Sequence, residues 1–364
     1  MCVSVVRVLG DPPSWTPLDT GLSVMTDTRV QVVPLSGATI TDQVDQLVMK
    51  QDGLWFWNRP LWRDYEMARN PTLVDHSWAL TIDGTVVAAQ LLTYHPELEL
   101  FGLGDLPAPA PSLLHEEQPD GRFAMDVVLP VMTEVFTSVV EQSDSCIRFR
   151  TMPIHQHFVP DDTLEGTWCN PPPYSTLLLD HGWQDESIRT RIIDLSVPLT
   201  QLWADVRKSY RHIIRDSSIT VTEERHDDTR QLCQDLHQQA SGRVTRPSDS
   251  WICQDSFALA DEASWFVARE GPTVLGFAYV LRWKDYAYYA SAANVVPNVS
   301  HPIQWAIMKH LKHLGVKYYE MGHQGGSVSK KESNIEFFRR GFGGQDIVQP
   351  IHACPVPPFE RVVH

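Results

Sequence analysis

Apolar and polar positions change period repeatedly along the chain, and each change marks an element. Between residues 38 and 50 apolar side chains recur at helical spacing, with Val44, Leu47 and Val48 inward, which predicts a helix. Two strand-like runs, 77–82 and 85–94, flank Asp83-Gly84, a pair suited to the positive φ angles of a hairpin turn. Residues 97–103 predict a third strand, the proline-rich tract 107–119 a loop, 123–141 a long helix kinked at Pro130, and 146–152 a buried strand. The order then returns. Helices are predicted at 203–215 and 228–240, the second stopped by Gly242. A hairpin at 264–269 and 274–283 turns about Gly271-Pro272, and a strand follows at 286–296. A helix from 302 to 314 points Ile303, Ile307 and Leu311 inward, and strands at 316–321 and 347–354 bracket a short basic helix.

Hairpin, strand, helix, strand thus occurs twice without obvious sequence identity. A chain of 364 residues is long for one core. The expected fold class is α/β with mixed α+β sheets, in two tandem domains at 1–180 and 181–364, the stretch from about 155 to 195 joining them. No long heptad pair is present, so no coiled-coil arm is expected. Trp55, Phe56, Trp57 and Trp62 crowd into eight residues. They read as a core corner, with a base-stacking platform as the alternative.

Composition excludes disorder, at 43% hydrophobic and 21% charged residues. The net charge of −15 disfavours a polyanionic partner until its distribution is considered. Residues 1–195 hold 11 Lys and Arg against 27 Asp and Glu, whereas residues 196–364 hold 19 against 18, in clusters. Cysteines 2, 146, 169, 233, 253 and 354 form no CxxC pair, which argues against a zinc site and for a reducing compartment. Residues 1–15 lack a long apolar segment and no run approaches 18 apolar residues, so the chain reads as cytoplasmic, without integral membrane contact.

The densest chemistry lies at 327–344. Ser329 and Glu332 have capping-box spacing, Ile335, Phe338 and Phe342 fall near helical spacing, and Gly341-Phe342-Gly343-Gly344 permits a tight turn into a strand. Four cations, Lys330, Lys331, Arg339 and Arg340, flank that helix. A second row, Arg207, Arg211 and Arg215, repeats every four residues opposite an apolar face of Leu202, Val206 and Tyr210. It reads either as a solvated face or as a contact for phosphates. A third stretch holds His237, Gly242, Arg243, Arg246 and Trp251, where the two arginines are ligand candidates and the histidine is a structural one.

The segment Phe338-Arg339-Arg340-Gly341-Phe342-Gly343-Gly344 resembles the closing signature of the FemABX-like aminoacyltransferases, commonly Phe-Lys-Arg-Gly-Phe-Gly-Gly, on a tandem GNAT fold. The stretch from Leu202 to Arg215 is similar to the segment that opens that superfamily's second domain, and 237–251 is similar to its polysaccharide-associated members. The resemblance spans roughly 196–350 and reaches the first half by architecture only. It implies transfer of an aminoacyl group from the acceptor end of a charged tRNA to an amine, on a small molecule or peptide such as a cell-wall precursor or natural-product intermediate. It implies catalytic roles for Arg339 and Phe338, and substrate or phosphate contacts from Arg207, Arg211, Arg243, Arg246, Lys330, Lys331 and Arg340.

Arginine at 339 departs from the common lysine. It keeps the charge but cannot readily give up a proton, so an electrostatic role survives and a proton-donating one does not. Glu320 and Glu336 are the candidate bases. No metal and no bound cofactor are expected, nor DNA. The stretch 296–302 has two prolines, no glycine and no arginine where acetyl-CoA-using GNAT proteins bind a pyrophosphate, which makes CoA an unlikely substrate. Three alternatives stand beside this reading: an N-acyltransferase using a CoA or carrier-protein thioester, a non-catalytic RNA- or nucleotide-binding tandem GNAT module, and a structural tandem domain.

Overall fold

The computed structural model describes residues 18–19, 30–50, 55–104, 106–109, 112–113, 148–152, 183–225, 228–324 and 329–355. The helix expected at 123–141, most of the proline-rich loop, and most of residues 1–36 and of the 155–195 connection lie outside the described residues. The chain divides into two compact units. Ile188–Gln349 belong to the second, and residues 183–187 and 350–355 group with the first rather than with the half that follows 180/181.

The first unit holds α1 (Ala38–Lys50), α2 (Pro60–Arg69) and two sheets. One sheet runs in the order β1 (Leu18–Asp19), β2 (Val30–Pro34), β4 (Trp78–Ile82), β5 (Thr85–Gln90), β9 (Ser112–Leu113). The expected turn between β4 and β5 is there, with φ of 49° at Asp83 and 80° at Gly84. The other sheet runs β11 (Gln184–Asp185), β19 (His352–Pro355), β10 (Arg148–Met152), β7 (Leu100–Gly102), β6 (Thr93–His95), β3 (Val74–Asp75), with β8 (Ala108–Pro109) beside β10. Val44, Leu47 and Val48 of α1 are buried, and Trp55, Phe56, Trp57 and Trp62 pack ring against ring as a core corner. Beside them the buried Arg59 is held bidentately by Asp45, at 2.7 and 2.9 Å.

The second unit is one seven-stranded sheet. Its order is β13 (Thr220–Glu224), β14 (Ala263–Glu270), β15 (Thr273–Trp283), β16 (Tyr286–Asn294), β17 (Tyr318–Gln324), β12 (Ile188–Asp194), β18 (Gln345–Gln349). β16 and β17 are parallel and joined by α7 (Ser300–His313), because a parallel pair needs a crossover connection. Ile303, Ile307, Met308 and Leu311 of α7 bury against Phe266, Ala278, Val280, Ala287, Tyr319 and Met321. α3 (Leu199–Asp205) and α4 (Lys208–Arg215) add Leu202, Val206 and Tyr210 to that side. α5 (Thr229–Ser241), ended by Gly242 at φ 69°, packs on β15 and β16, and α6 (Ser248–Leu259) packs on β14. α8 (Lys330–Arg340) precedes the glycine turn into β18.

Three expectations are corrected. The single helix at 203–215 is two helices, broken where Val206 and Arg207 adopt extended ψ angles of 130° and 136°. The break lets the Arg207 N–H reach the Gly341 carbonyl at 2.7 Å while Leu202, Val206 and Tyr210 all stay inward. It also removes Arg207 from the helical row, leaving Arg211 and Arg215 one turn apart. The strand at 347–354 is two strands in different units, β18 and β19, separated at Pro350. Part of the 155–195 connection, Ile188–Asp194, is an interior strand of the second sheet. Of the apolar positions at helical spacing in α8, Ile335 is 38% exposed, and the helix has no fully buried residue.

The turn after α8 depends on its glycines. Gly343 and Gly344 take φ of 86° and 73°, open to glycine at little cost. Gly341 has an ordinary φ of −69°, but a Cβ there would overlap the Tyr210 ring. Gly341→Ala should therefore lower stability by about 1–3 kcal/mol through overpacking. Chemical denaturation checks this, and an unchanged midpoint would show that Tyr210 does not lie on that backbone.

Candidate functional site

β16 and β17 pair only from Tyr286–Tyr318 to Tyr288–Glu320 and then part. Beyond that point every residue of β16 from Tyr288 to Asn294 is partly exposed, as expected of a strand that has lost a neighbour. Where they part, β17 carries an irregularity. Arg191 pairs with Gly322 and Ile192 with Glu320, so Met321 has no partner in the β12 register. Such a bulge reverses which face later side chains occupy. Before it, Tyr319 faces α7 and Glu320 the opposite side. After it, the Cα–Cβ direction of Gly322 points at the Arg339 guanidinium, 3.0 Å from Nη2. Gly322 also has φ of 95°, a conformation that favours glycine.

Arg339 reaches this opening from the last turn of α8. Its Nη1 donates to the His323 carbonyl, and its Nε is shielded without a hydrogen-bond partner. Tyr319 and Tyr289 stand close enough to feel its charge. Burial pushes the Tyr289 hydroxyl up to about 12, opposed by Gln304 and Arg339, and pushes Tyr319 well above its ordinary range by the same effect. Both stay protonated and can donate hydrogen bonds. The Tyr319 hydroxyl donates to Gln304 Oε1 at 2.8 Å, and Gln304 is fully buried in the second turn of α7.

α8 is held by an aromatic wedge. Phe338, Phe342, Tyr210 and His301 meet at ring-centroid distances of 4.3–6.3 Å. Phe342 is completely buried, which contributes about 1.5–3 kcal/mol. Phe338, expected at the chemistry, is a member of this wedge. Burial lowers the His301 pKa, against a contact of its Nδ1 with the Asn298 carbonyl, and so favours the neutral ring.

The expected cations divide into engaged and free ones. Arg207 lies 3.8 Å over the Phe337 ring and also donates to the Tyr210 hydroxyl and the Phe337 carbonyl. Arg340 pairs with Asp346 at 3.3 Å, a carboxylate shared with Arg191. Arg246 stacks 3.7 Å over Trp251 and donates to Gln254. Arg211, Arg243, Lys330 and Lys331 make no ion pair among the described residues. The two lysines are exposed at the N-terminus of α8, where the helix dipole adds to their positive potential. The expected cap there is present: Glu332 N–H donates to Ser329 Oγ at 3.2 Å, and Ser329 N–H to Glu332.

The two candidate bases are placed apart from the guanidinium or left open. Glu320 is buried on the other face of the sheet, accepting from Thr190 and from Tyr286 at 2.9 Å. Both hydrogen bonds tie it to the sheet. Glu336 is a half-exposed residue of α8. Tyr289, Gln304, His301 and Gln324 were not anticipated, although a glutamine on the inward face of α7 is a readable signal.

The N-terminus of α7 fits a pyrophosphate poorly. Pro302 has no N–H, while the His301 and Ile303 N–H groups already bond the Asn298 and Val299 carbonyls. Among the described residues no cluster of His, Cys, Asp or Glu could hold a metal ion, and no helix is long and apolar enough to cross a membrane.

The fold is that of tandem GNAT proteins. FemX superposes with a TM-score of 0.58 at 11% identity, covering 87% of this chain and 96% of its own. A tandem GNAT protein from the clavulanic acid biosynthesis pathway gives 0.54 at 12% identity, over 91% of this chain and 99% of its own. The C-terminal domain of a putative lysylphosphatidylglycerol synthetase from Agrobacterium fabrum gives 0.53 at 14%, over 86% and 91%. No protein-family model matches the chain, and no curated protein matches it in sequence.

The placement of Glu320 has a measurable consequence. Glu320→Ala removes the acceptor for two hydroxyls, Thr190 and the buried Tyr286, and should cost about 2–5 kcal/mol. Glu320→Gln keeps one acceptor and should cost less. Unfolding midpoints of the two variants check this; equal stability of Ala and wild type would remove the structural role.

Proposed function

We propose that this protein is an acyltransferase that moves an aminoacyl group from the acceptor end of an aminoacyl-tRNA to an amine, forming an amide. The observation that supports the reading is the Arg339 guanidinium, directed across Gly322 into the parted end of β16 and β17. An aminoacyl ester is already activated. The amine attacks its carbonyl carbon, the C=O electrons move onto oxygen, and collapse of the tetrahedral adduct expels the ribose oxygen, which takes up the proton the amine gives up. The enzyme has to align the two reactants and stabilise the oxyanion. A fixed guanidinium with an unengaged Nε is suited to that second task, and it needs no general base of its own.

On this reading Lys330, Lys331 and Arg211 hold phosphates of the RNA end. Their lack of acidic partners supports this, since neighbouring cations repel each other unless an anion lies against them. Arg207 and Arg340 act mainly by fixing α8, given their engagement with Phe337 and Asp346. The acceptor is an amine of a small molecule or peptide. A thioester-dependent N-acyltransferase is the second reading, and the poor fit of the α7 N-terminus to a pyrophosphate weighs against its CoA form.

Two measurements test this. Arg339→Ala should lower kcat by roughly 10²–10³-fold with little change in KM, and Arg339→Lys should retain a good part of the rate. Arg339→Met keeps the stem without the charge and separates packing from electrostatics. Wild-type rates in the Met variant would remove Arg339 from the mechanism. Acetyl-CoA should leave the melting temperature unchanged in a titration, whereas a saturable rise of several degrees at micromolar ligand would favour the thioester reading.

A further inference from the structure

On the α7 side of the parted strands, three shielded side chains have hydrogen-bonding atoms with nothing to bond. Arg339 Nε has no partner. Gln304 Nε2 stands by the Tyr289 hydroxyl without forming a hydrogen bond of acceptable geometry, although Oε1 of the same amide is bonded by Tyr319. Gln324 is 1% exposed, and neither end of its amide is bonded. Strand alternation places it. Gly322 points at Arg339, and Gln324, two residues further along β17 and about 7 Å away, takes the same face. The bulge at Met321 is what turns it there, since unbroken alternation would set Gln324 on the Glu320 side.

An unmet buried polar group is costly, and folded proteins leave few. Several in one opening point to a polar ligand that meets them. The unmet groups are N–H donors on Arg339, Gln304 and Gln324, with one acceptor, Gln324 Oε1. A plain acyl group offers only oxygen acceptors and would leave that acceptor unmet. An aminoacyl group also carries N–H donors on its amino group. We propose that this opening is an aminoacyl subsite in which Gln324 binds the amino group of the acyl donor, while Gln304 Nε2 and Arg339 Nε bind its carbonyl and ester oxygens. Gln324 is thereby the residue that separates aminoacyl donors from plain acyl ones. This rests on the aminoacyl-transfer reading above.

The test uses the full chain and two donors: an aminoacyl ester of a short RNA acceptor stem, and the same ester with hydrogen in place of the amino group. Wild type should prefer the aminoacyl donor by about 10–10²-fold in kcat/KM. Gln324→Leu should lower kcat/KM for the aminoacyl donor by about 10–10²-fold and so abolish that preference. Its melting temperature should stay level or rise, because an apolar side chain replaces an unmet amide. A preference kept in Gln324→Leu would overturn the proposal, as would a fall in melting temperature with equal losses on both donors, which marks a structural glutamine. If wild type turns over neither ester, the transfer reading itself fails. Turnover of both at equal rates by wild type overturns the subsite alone.

Discussion

The site depends on how closely the backbone after α8 can approach the break between α3 and α4. Gly341 lies against the Tyr210 ring with no room for a side chain, and its carbonyl accepts from Arg207. That contact fixes the end of α8, and with it the point from which Arg339 leaves the helix. Gly343 and Gly344 then turn the chain through left-handed backbone into β18, where Gly344 lies against the Ile192 carbonyl with no space for a Cβ. Phe342 fills the core between these contacts. The motif therefore acts first as a packing device, and through it the Arg339 guanidinium is set in place.

A second glycine meets the motif from the opposite side. Gly322 sits at the irregularity in β17 and gives the guanidinium its place, and the same irregularity turns Gln324 toward that face. One unpaired residue in a strand thus sets two side chains of the opening. Tyr289 and Tyr319 add hydroxyls that burial keeps protonated, and Gln304 adds an amide. The opening is rich in donors and holds one fixed cation, an environment for oxygen atoms that gain negative charge during a reaction.

Much of this was legible in the sequence. The capping box at Ser329 and Glu332, the inward face of α7, the Asp83-Gly84 turn and the tandem GNAT fold all follow from local pattern or resemblance. Other features were not, for reasons that are physical. No glycine or proline announces the helix break at Val206, and the bond of the Arg207 N–H to the Gly341 carbonyl that goes with it is a contact distant in sequence. α6 is apolar on several sides and shows no period. The bulge at Met321 is a matter of register between β12 and β17, which residue order alone does not contain. The charge of Arg207 was visible in the sequence, whereas its stacking on Phe337 was not. The burial of Glu320 in the sheet was not visible either.

The most direct test of the account is the identity of the product made from natural donors. The full-length protein would be incubated with a pool of charged tRNAs and a set of amine acceptors, and the new amides extracted and identified by mass. The account predicts amides bearing an amino acid residue, lost when the tRNA pool is deacylated beforehand. Amides formed only when an acyl thioester replaces the tRNA pool would contradict it.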